Sequence, residues 1–280
     1  MRKQKLSDAT KLSLLMELQT TPKPGCVDKE FEHQDTTYID FINSAIAVGR
    51  AFEEGASNKL GELIYKSTEK MLKSHSGVNT HFGSILLHTP LFKASLELEE
   101  FKIEDLIQRA NQKVEYSNIE DSINFYNALN IVEVGGLGDR EDLDANSNQA
   151  IEEISEREIE FFELMQISKE QDDIAKELVE GFERTQKAFD FLKNRKINNW
   201  ELVKTFIYLL QEPDTHVTKI FSEKLATQIA QKATQIVEED YPKKEIKRLD
   251  QELNEKGISP GTTADIFSAS IYLKLLSEDE

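Results

Sequence analysis

Apolar residues recur at three- and four-residue spacing almost from one end of the chain to the other. That period restricts the fold to helices packed on helices. Leu60, Leu63, Ile64, Met71 and Leu72 follow it, as do Ile174, Leu178, Phe182, Phe189 and Leu192. An amphipathic helix is expected at the start, where the apolar run is broken by Lys11 and Glu17, so the segment does not read as a signal peptide. Further helices are expected over Tyr38–Phe52, Phe82–Leu98, Glu120–Glu133, Ile151–Met165, Trp200–Leu210, Val217–Glu238, Lys243–Lys256 and Ala264–Leu276. Pro22 and Pro24 end the first helix, Pro90 interrupts or kinks its segment, and Pro213, Pro242 and Pro260 fall between periodic runs.

These patterns predict an all-α, compact multi-helix domain over residues 1–280, with a polar cleft built from helix termini. A flexible loop is expected near residues 134–149, where Gly135, Gly136 and Gly138 cluster. The formal charge of -18 argues against bulk attraction to nucleic acid or an anionic membrane surface. No apolar stretch is long enough to span a bilayer. The single cysteine, Cys26, excludes an intrachain disulfide scaffold and favours a reducing, cytoplasmic setting. The acidic stretch from Glu152 to Glu183 reads mainly as a solvated helix face.

Four polar segments stand at helix junctions. The first is Thr21-Pro22-Lys23-Pro24-Gly25-Cys26-Val27-Asp28, followed by Glu32-His33-Gln34-Asp35-Thr36; two prolines stiffen it and can hold Lys23 and Asp28 beside a ligand. The second, Ser76 to Gly83, carries Asn79, Thr80 and His81 at the start of a helix. The third holds Asp214, Thr215 and His216, and the fourth runs Ser259-Pro260-Gly261-Thr262-Thr263-Ala264-Asp265 into an apolar helix. Each also has a plain structural reading: Asp35 or Thr36, Asn79 or Thr80, Thr215, and Thr262 or Thr263 are all good helix caps. Asp265 in a first helical turn complements the helix dipole without a ligand. As a set, Asp28, Asp35, Asp214 and Asp265 mark three widely separated junctions, and helix starts that converge suit phosphate and Mg²⁺. Phosphate-loop, dinucleotide, HExxH, CxxC and GxSxG patterns are absent from the sequence.

The motifs TPKPGCVD (Thr21–Asp28), HQD (His33–Asp35), GVNTHFG (Gly77–Gly83), DTH (Asp214–His216) and SPGTTAD (Ser259–Asp265) together carry a family likeness. The chain resembles the triphosphoribosyl-dephospho-coenzyme A synthase family, ATP:dephospho-CoA triphosphoribosyltransferases. The resemblance implies an all-α enzyme that moves the 5-triphosphoribosyl group of ATP to the 2′-hydroxyl of dephospho-CoA and releases adenine. It implies Asp35, His33 and His81 as catalytic candidates, with Asp35 stabilising charge at the ribose C1′ and either histidine handling a proton. Lys23, Asp28, Asn79, Thr80, Gly261, Thr262 and Thr263 would bind the nucleotide, and Asp35, Asp214 and Asp265 would hold Mg²⁺. Phe82, His216 and the Thr262-Thr263 pair replace residues of the typical bacterial motifs, so the chain looks like a divergent, archaeal-type branch. Two other readings compete: an all-α Mg²⁺-dependent nucleotide hydrolase, and a non-catalytic helical interaction module whose junction residues serve only as caps.

Overall fold

The computed structural model describes residues 2–76, 78–132 and 149–278, and the expected loop at 134–149 lies almost wholly outside them. Among the described residues the regular structure is helical throughout, with no strand. The first six helices are α1 (Arg2–Gln19), α2 (Tyr38–Glu54), α3 (Leu60–Lys73), α4 (Phe82–Ser95), α5 (Ile103–Glu115) and α6 (Ile119–Val132). Next come α7 (Gln149–Glu156), α8 (Phe161–Ser168), α9 (Asp173–Glu180), α10 (Glu183–Leu192) and α11 (Asn199–Leu209). The chain continues through α12 (Thr215–Ile220), α13 (Glu223–Glu238), α14 (Lys243–Glu255) and α15 (Gly261–Ser277).

The two central helices are apolar around most of their circumference, and both are buried almost throughout: α4, from Phe82 to Ser95, and α15. Helix α15 packs against α1, α4, α10, α11 and α12, while α1 also lies on α2. Outer helices show one apolar stripe; α5 buries Ile103, Leu106, Ile107, Ala110 and Val114. One connected core runs from Leu6 on α1 to Leu276 on α15. No helix among the described residues is long and apolar enough to cross a membrane.

Three expected runs are each two helices. The run Ile174–Leu192 breaks because Gly181 adopts φ +87 and Phe182 φ +58, and the Phe182 N–H returns to the Glu177 carbonyl at 2.8 Å. Phe182 nevertheless enters the core, so the apolar rhythm continues across the break. Ile151–Met165 divides near Glu158, which has φ +54, and Val217–Glu238 divides at Ser222, whose hydroxyl caps α13. Helix α5 was not among the expected segments. Helix α4 continues through Pro90 and ends at Ser95, short of Leu98. In the acidic stretch Glu177 is turned fully inward, where its carboxylate takes the N–H groups of Arg184 and Thr185 and the Thr185 hydroxyl.

Candidate active site

The segment after α1 forms a strap across the end of the core. Asn199 at the start of α11 clamps Thr21, accepting its N–H at 3.0 Å and donating to its carbonyl at 2.6 Å. Lys23 is buried and paired with Glu17 of α1, also donating to the Glu17 carbonyl at 3.1 Å. Gly25 has φ +76, and a Cβ there would stand 2.1 Å from the Ile258 carbonyl oxygen, so both backbone angle and contact require glycine. Beyond it, Asp28 Oδ1 closes a turn by accepting the N–H groups of Glu30 (2.7 Å) and Phe31 (3.0 Å). His33 Nε2 lies 3.2 Å from the Gly25 carbonyl.

That strap meets the start of α15 through Cys26, whose sulfur lies 3.9 Å from the Pro260 carbonyl and 3.8 Å from Ser259 Oγ. Burial pushes the Cys26 thiol far above its ordinary pKa, which makes it a packing group and not a nucleophile.

The starts of α4, α12 and α15 are joined by side chains. Asp214 caps α12 through Oδ1 on the Val217 N–H (3.0 Å), and its Oδ2 takes both the N–H and the hydroxyl of Thr263 at 2.7 Å. Thr215 and Thr262 hydroxyls stand 3.4 Å apart, and the His216 ring lies over Gly261. Asn79 caps α4 by accepting the Phe82 N–H at 3.0 Å. Ser84, in the first turn of α4, donates to Asp265 Oδ1 at 2.5 Å. A Cβ on Gly83 would fall 2.1 Å from Asp265 Oδ2, so that glycine makes room for the carboxylate. His81 is buried with Nδ1 2.6 Å from Ser44 Oγ of α2.

Burial sets the electrostatics. It drives the Asp265 carboxyl up to about 8, with the nearby negative charges of Glu17 and Asp214 adding to the effect and the Ser84 hydrogen bonds opposing it. Burial also raises Glu17, against the pull of Lys23. The same desolvation lowers His81 to about 3, helped by the Lys23 charge, and lowers His216 despite Asp214. At neutral pH the center of the site therefore holds a carboxylic acid and a neutral imidazole.

Most of the expected residues share this neighborhood: Lys23, Asp28 and His33 on the strap, Asn79, Thr80 and His81 at α4, and Asp214, Gly261, Thr262, Thr263 and Asp265 at α12 and α15. Their local tasks differ from expectation. Thr37 caps α2 in place of Asp35 or Thr36, and Asp214 caps α12 in place of Thr215. Lys23 gives its charge to Glu17. Asp35 is exposed on the loop before α2 and accepts the Thr36 hydroxyl at 3.3 Å. The described residues include no group of three His, Cys, Asp or Glu side chains placed to hold a metal ion. The set Asp35, Asp214 and Asp265 is thus not gathered as a cage: Asp214 is committed to helix starts and Asp35 stands in solvent.

Several participants escaped the sequence reading. Glu17, Ser44 and Ser84 lie inside helices, and Asp250 of α14 reaches the Gly25 N–H at 3.4 Å. Burial, reinforced by Asp28, raises the Asp250 carboxyl to about 6. Their only sequence signal is polarity at helix positions whose period points inward.

Comparison with known proteins gives concordant results. A family model described as ATP:dephospho-CoA triphosphoribosyl transferase matches residues 3–280. A Streptococcus mutans protein described as a probable 2-(5''-triphosphoribosyl)-3'-dephosphocoenzyme-A synthase is 25% identical, across 99% of this chain and 98% of its own length. A protein of the same description from Streptococcus pyogenes serotype M1 is 36% identical over 25% of this chain and 30% of its own. The crystal structure of an Archaeoglobus fulgidus protein, described as a candidate triphosphoribosyl-dephospho-CoA synthase, superposes with a TM-score of 0.70. It is 26% identical and covers 84% of this chain and 97% of its own.

Proposed function

This chain belongs to the ATP:dephospho-CoA triphosphoribosyl transferase family, and from that premise we propose that it transfers the 5-triphosphoribosyl group of ATP to the 2′-hydroxyl of dephospho-CoA, releasing adenine. The observation that carries the reading is the meeting of the α4, α12 and α15 starts around Asp265, a buried acid poised near neutrality.

In this reading the glycosidic C1′–N9 bond breaks as the acceptor oxygen bonds to C1′. Adenine gains a proton while the hydroxyl loses one. Asp265, protonated in the empty site, supplies the proton to the departing base, and the carboxylate so formed stabilises positive charge at C1′ in a low-dielectric setting. A carboxyl titrating close to the working pH suits both halves of that exchange. Asp35, exposed on its loop, contributes to charge stabilisation once the substrates cover it. His33 and Asp28 border the strap side of the same space.

Pro260, the residue before α15, supplies no side-chain cap of its own. Asp214 takes the Thr263 N–H, which leaves the N–H groups of Gly261 and Thr262 for triphosphate oxygens. The Thr262 and Thr80 hydroxyls add donors. Asp265 would be the residue nearest to hold Mg²⁺ brought by the nucleotide, and the ion would supply positive charge to the triphosphate. Lys23 reaches the phosphates only by leaving Glu17.

Mass spectrometry of protein with ATP, Mg²⁺ and dephospho-CoA tests the proposal. Free adenine and an adduct retaining all three phosphates are expected, both dependent on the acceptor and both lost in Asp265→Asn. ADP or AMP with phosphate would mark a hydrolase, and no consumption of ATP under any acceptor condition would overturn catalysis altogether.

A further inference from the structure

His81 has one satisfied ring nitrogen and one that is not. Nδ1 stands 2.6 Å from Ser44 Oγ, whereas Nε2 is buried with no hydrogen-bond partner among the described residues. The ring is otherwise fixed. Phe41 meets it edge-on with centroids 5.1 Å apart, and the His81 backbone N–H points at Met71 sulfur at 3.3 Å.

The proton on that ring follows from counting donors. The Thr80 hydroxyl donates to Ser44 Oγ at 2.7 Å, and His75 Nε2 stands 3.3 Å behind Thr80 Oγ1. Ser44 has a single hydroxyl proton, and with its oxygen already accepting from Thr80, the neighbor left to receive that proton is His81 Nδ1. A neutral imidazole carries one N–H, so acceptance at Nδ1 puts it on Nε2. On that assignment the hydroxyls of Thr80 and Ser44 run in one direction and end in a buried N–H that has no partner among the described residues.

We propose that Ser44 is a positioning residue that locks His81 as the Nε2–H tautomer, so that His81 meets the nucleotide as a neutral hydrogen-bond donor and not as a base. The ligand group it fits is a bare acceptor: a purine ring nitrogen or a phosphate oxygen. The tautomer is independent of the transferase reading; only the identity of the acceptor rests on it. Proton removal from the acceptor hydroxyl then falls to a carboxylate, which Asp265 becomes once it has given its proton to adenine.

The experiment is long-range ¹H–¹⁵N correlation on histidine-labelled full-length protein at neutral pH, with the His81 signals assigned by their loss in His81→Gln. Wild type is expected to show a protonated-type Nε2 and an unprotonated, acceptor-type Nδ1. Ser44→Ala is expected to mix or reverse that pattern, and Ser44→Thr to retain it. Turnover should track the spectrum: kcat falls by about 10–100-fold in Ser44→Ala, as when the partner orienting a functional imidazole is removed, with KM for ATP changed far less, and recovers in Ser44→Thr. A wild-type spectrum with the proton on Nδ1, or a Ser44→Ala spectrum identical to wild type, overturns the proposal. The wild-type spectrum decides even if Ser44→Ala fails to fold. Adding ATP separates the two readings: an unmoved Nε2 signal counts against nucleotide binding here while the tautomer assignment stands.

Discussion

Asp214 and Thr263 lie far apart in sequence, yet one carboxylate oxygen of Asp214 holds both the backbone N–H and the hydroxyl of Thr263 at 2.7 Å. The other oxygen caps α12 on Val217, so a single side chain fastens two helix starts in register. Charge-assisted bonds to a buried carboxylate are among the stronger polar contacts in a protein. Asp214→Ala orphans two buried N–H groups and is expected to cost about 2–4 kcal/mol. Thr263→Val, which removes only the hydroxyl, should cost about 1–2 kcal/mol. Urea denaturation of each variant and of the pair measures both costs, and their coupling should make the double variant less harmful than the sum.

The Asp265 carboxyl gives stability a definite pH slope. Its folded value near 8 lies above the ordinary 3.8, so between those limits the native state keeps a proton that the unfolded chain releases. Its contribution is complete below about pH 3.8 and is lost as the pH rises toward 8. Asp250, raised to about 6, slopes the same way. His81 and His88, the latter buried within α4, slope oppositely: held near 3 and 4, they withdraw stability as the pH falls below 6.5. Asp265→Asn cancels only the first effect. Its stability relative to wild type should therefore grow steadily from pH 5 to pH 8 in denaturation midpoints, while transfer is lost.

The helical period made the fold class legible because it is a property of single segments. Helix α2 and helix α3 are clear from their apolar spacing alone. The breaks were not legible where a non-glycine residue took positive φ, as at Phe182 and Glu158, since the same residues keep the apolar rhythm intact. Site segments stood out where composition was unusual, as in the two strap prolines and Asn79-Thr80-His81. Their supports did not. Ser44 and Asn43 are adjacent polar residues of α2, and packing alone sends Ser44 inward to His81 and leaves Asn43 in solvent.

Gly83 and Gly25 both admit close neighbors, but substitution should separate function from stability. At Gly83 the helix itself favors alanine by about 1 kcal/mol, and the clash falls on the Asp265 carboxylate, 2.1 Å from the new Cβ. Gly83→Ala is expected to fold with near-native stability and lose transfer, seen as intact thermal melts without adenine release. Gly25→Ala meets backbone at Ile258 and carries φ +76, so it should lower stability by about 2–4 kcal/mol.

The buried Lys23–Glu17 pair yields a prediction with a built-in control. Lys23→Met strands a carboxylate that burial already holds above its ordinary pKa. Losing one partner of such a pair costs about 3–5 kcal/mol. Because Glu17 can escape by taking a proton, the loss should be smaller at pH 5 and grow as the pH rises above the raised value that Glu17 holds in the folded protein. Adding Glu17→Leu removes the stranded charge, so the double variant should recover most of the stability and lose the extra pH dependence. If Lys23 leaves Glu17 for the triphosphate, that stable double variant should still bind ATP weakly and release little adenine. Urea midpoints at pH 5 and 8, read beside acceptor-dependent adenine release, separate the two roles: full recovery of both stability and transfer would make the pair purely structural.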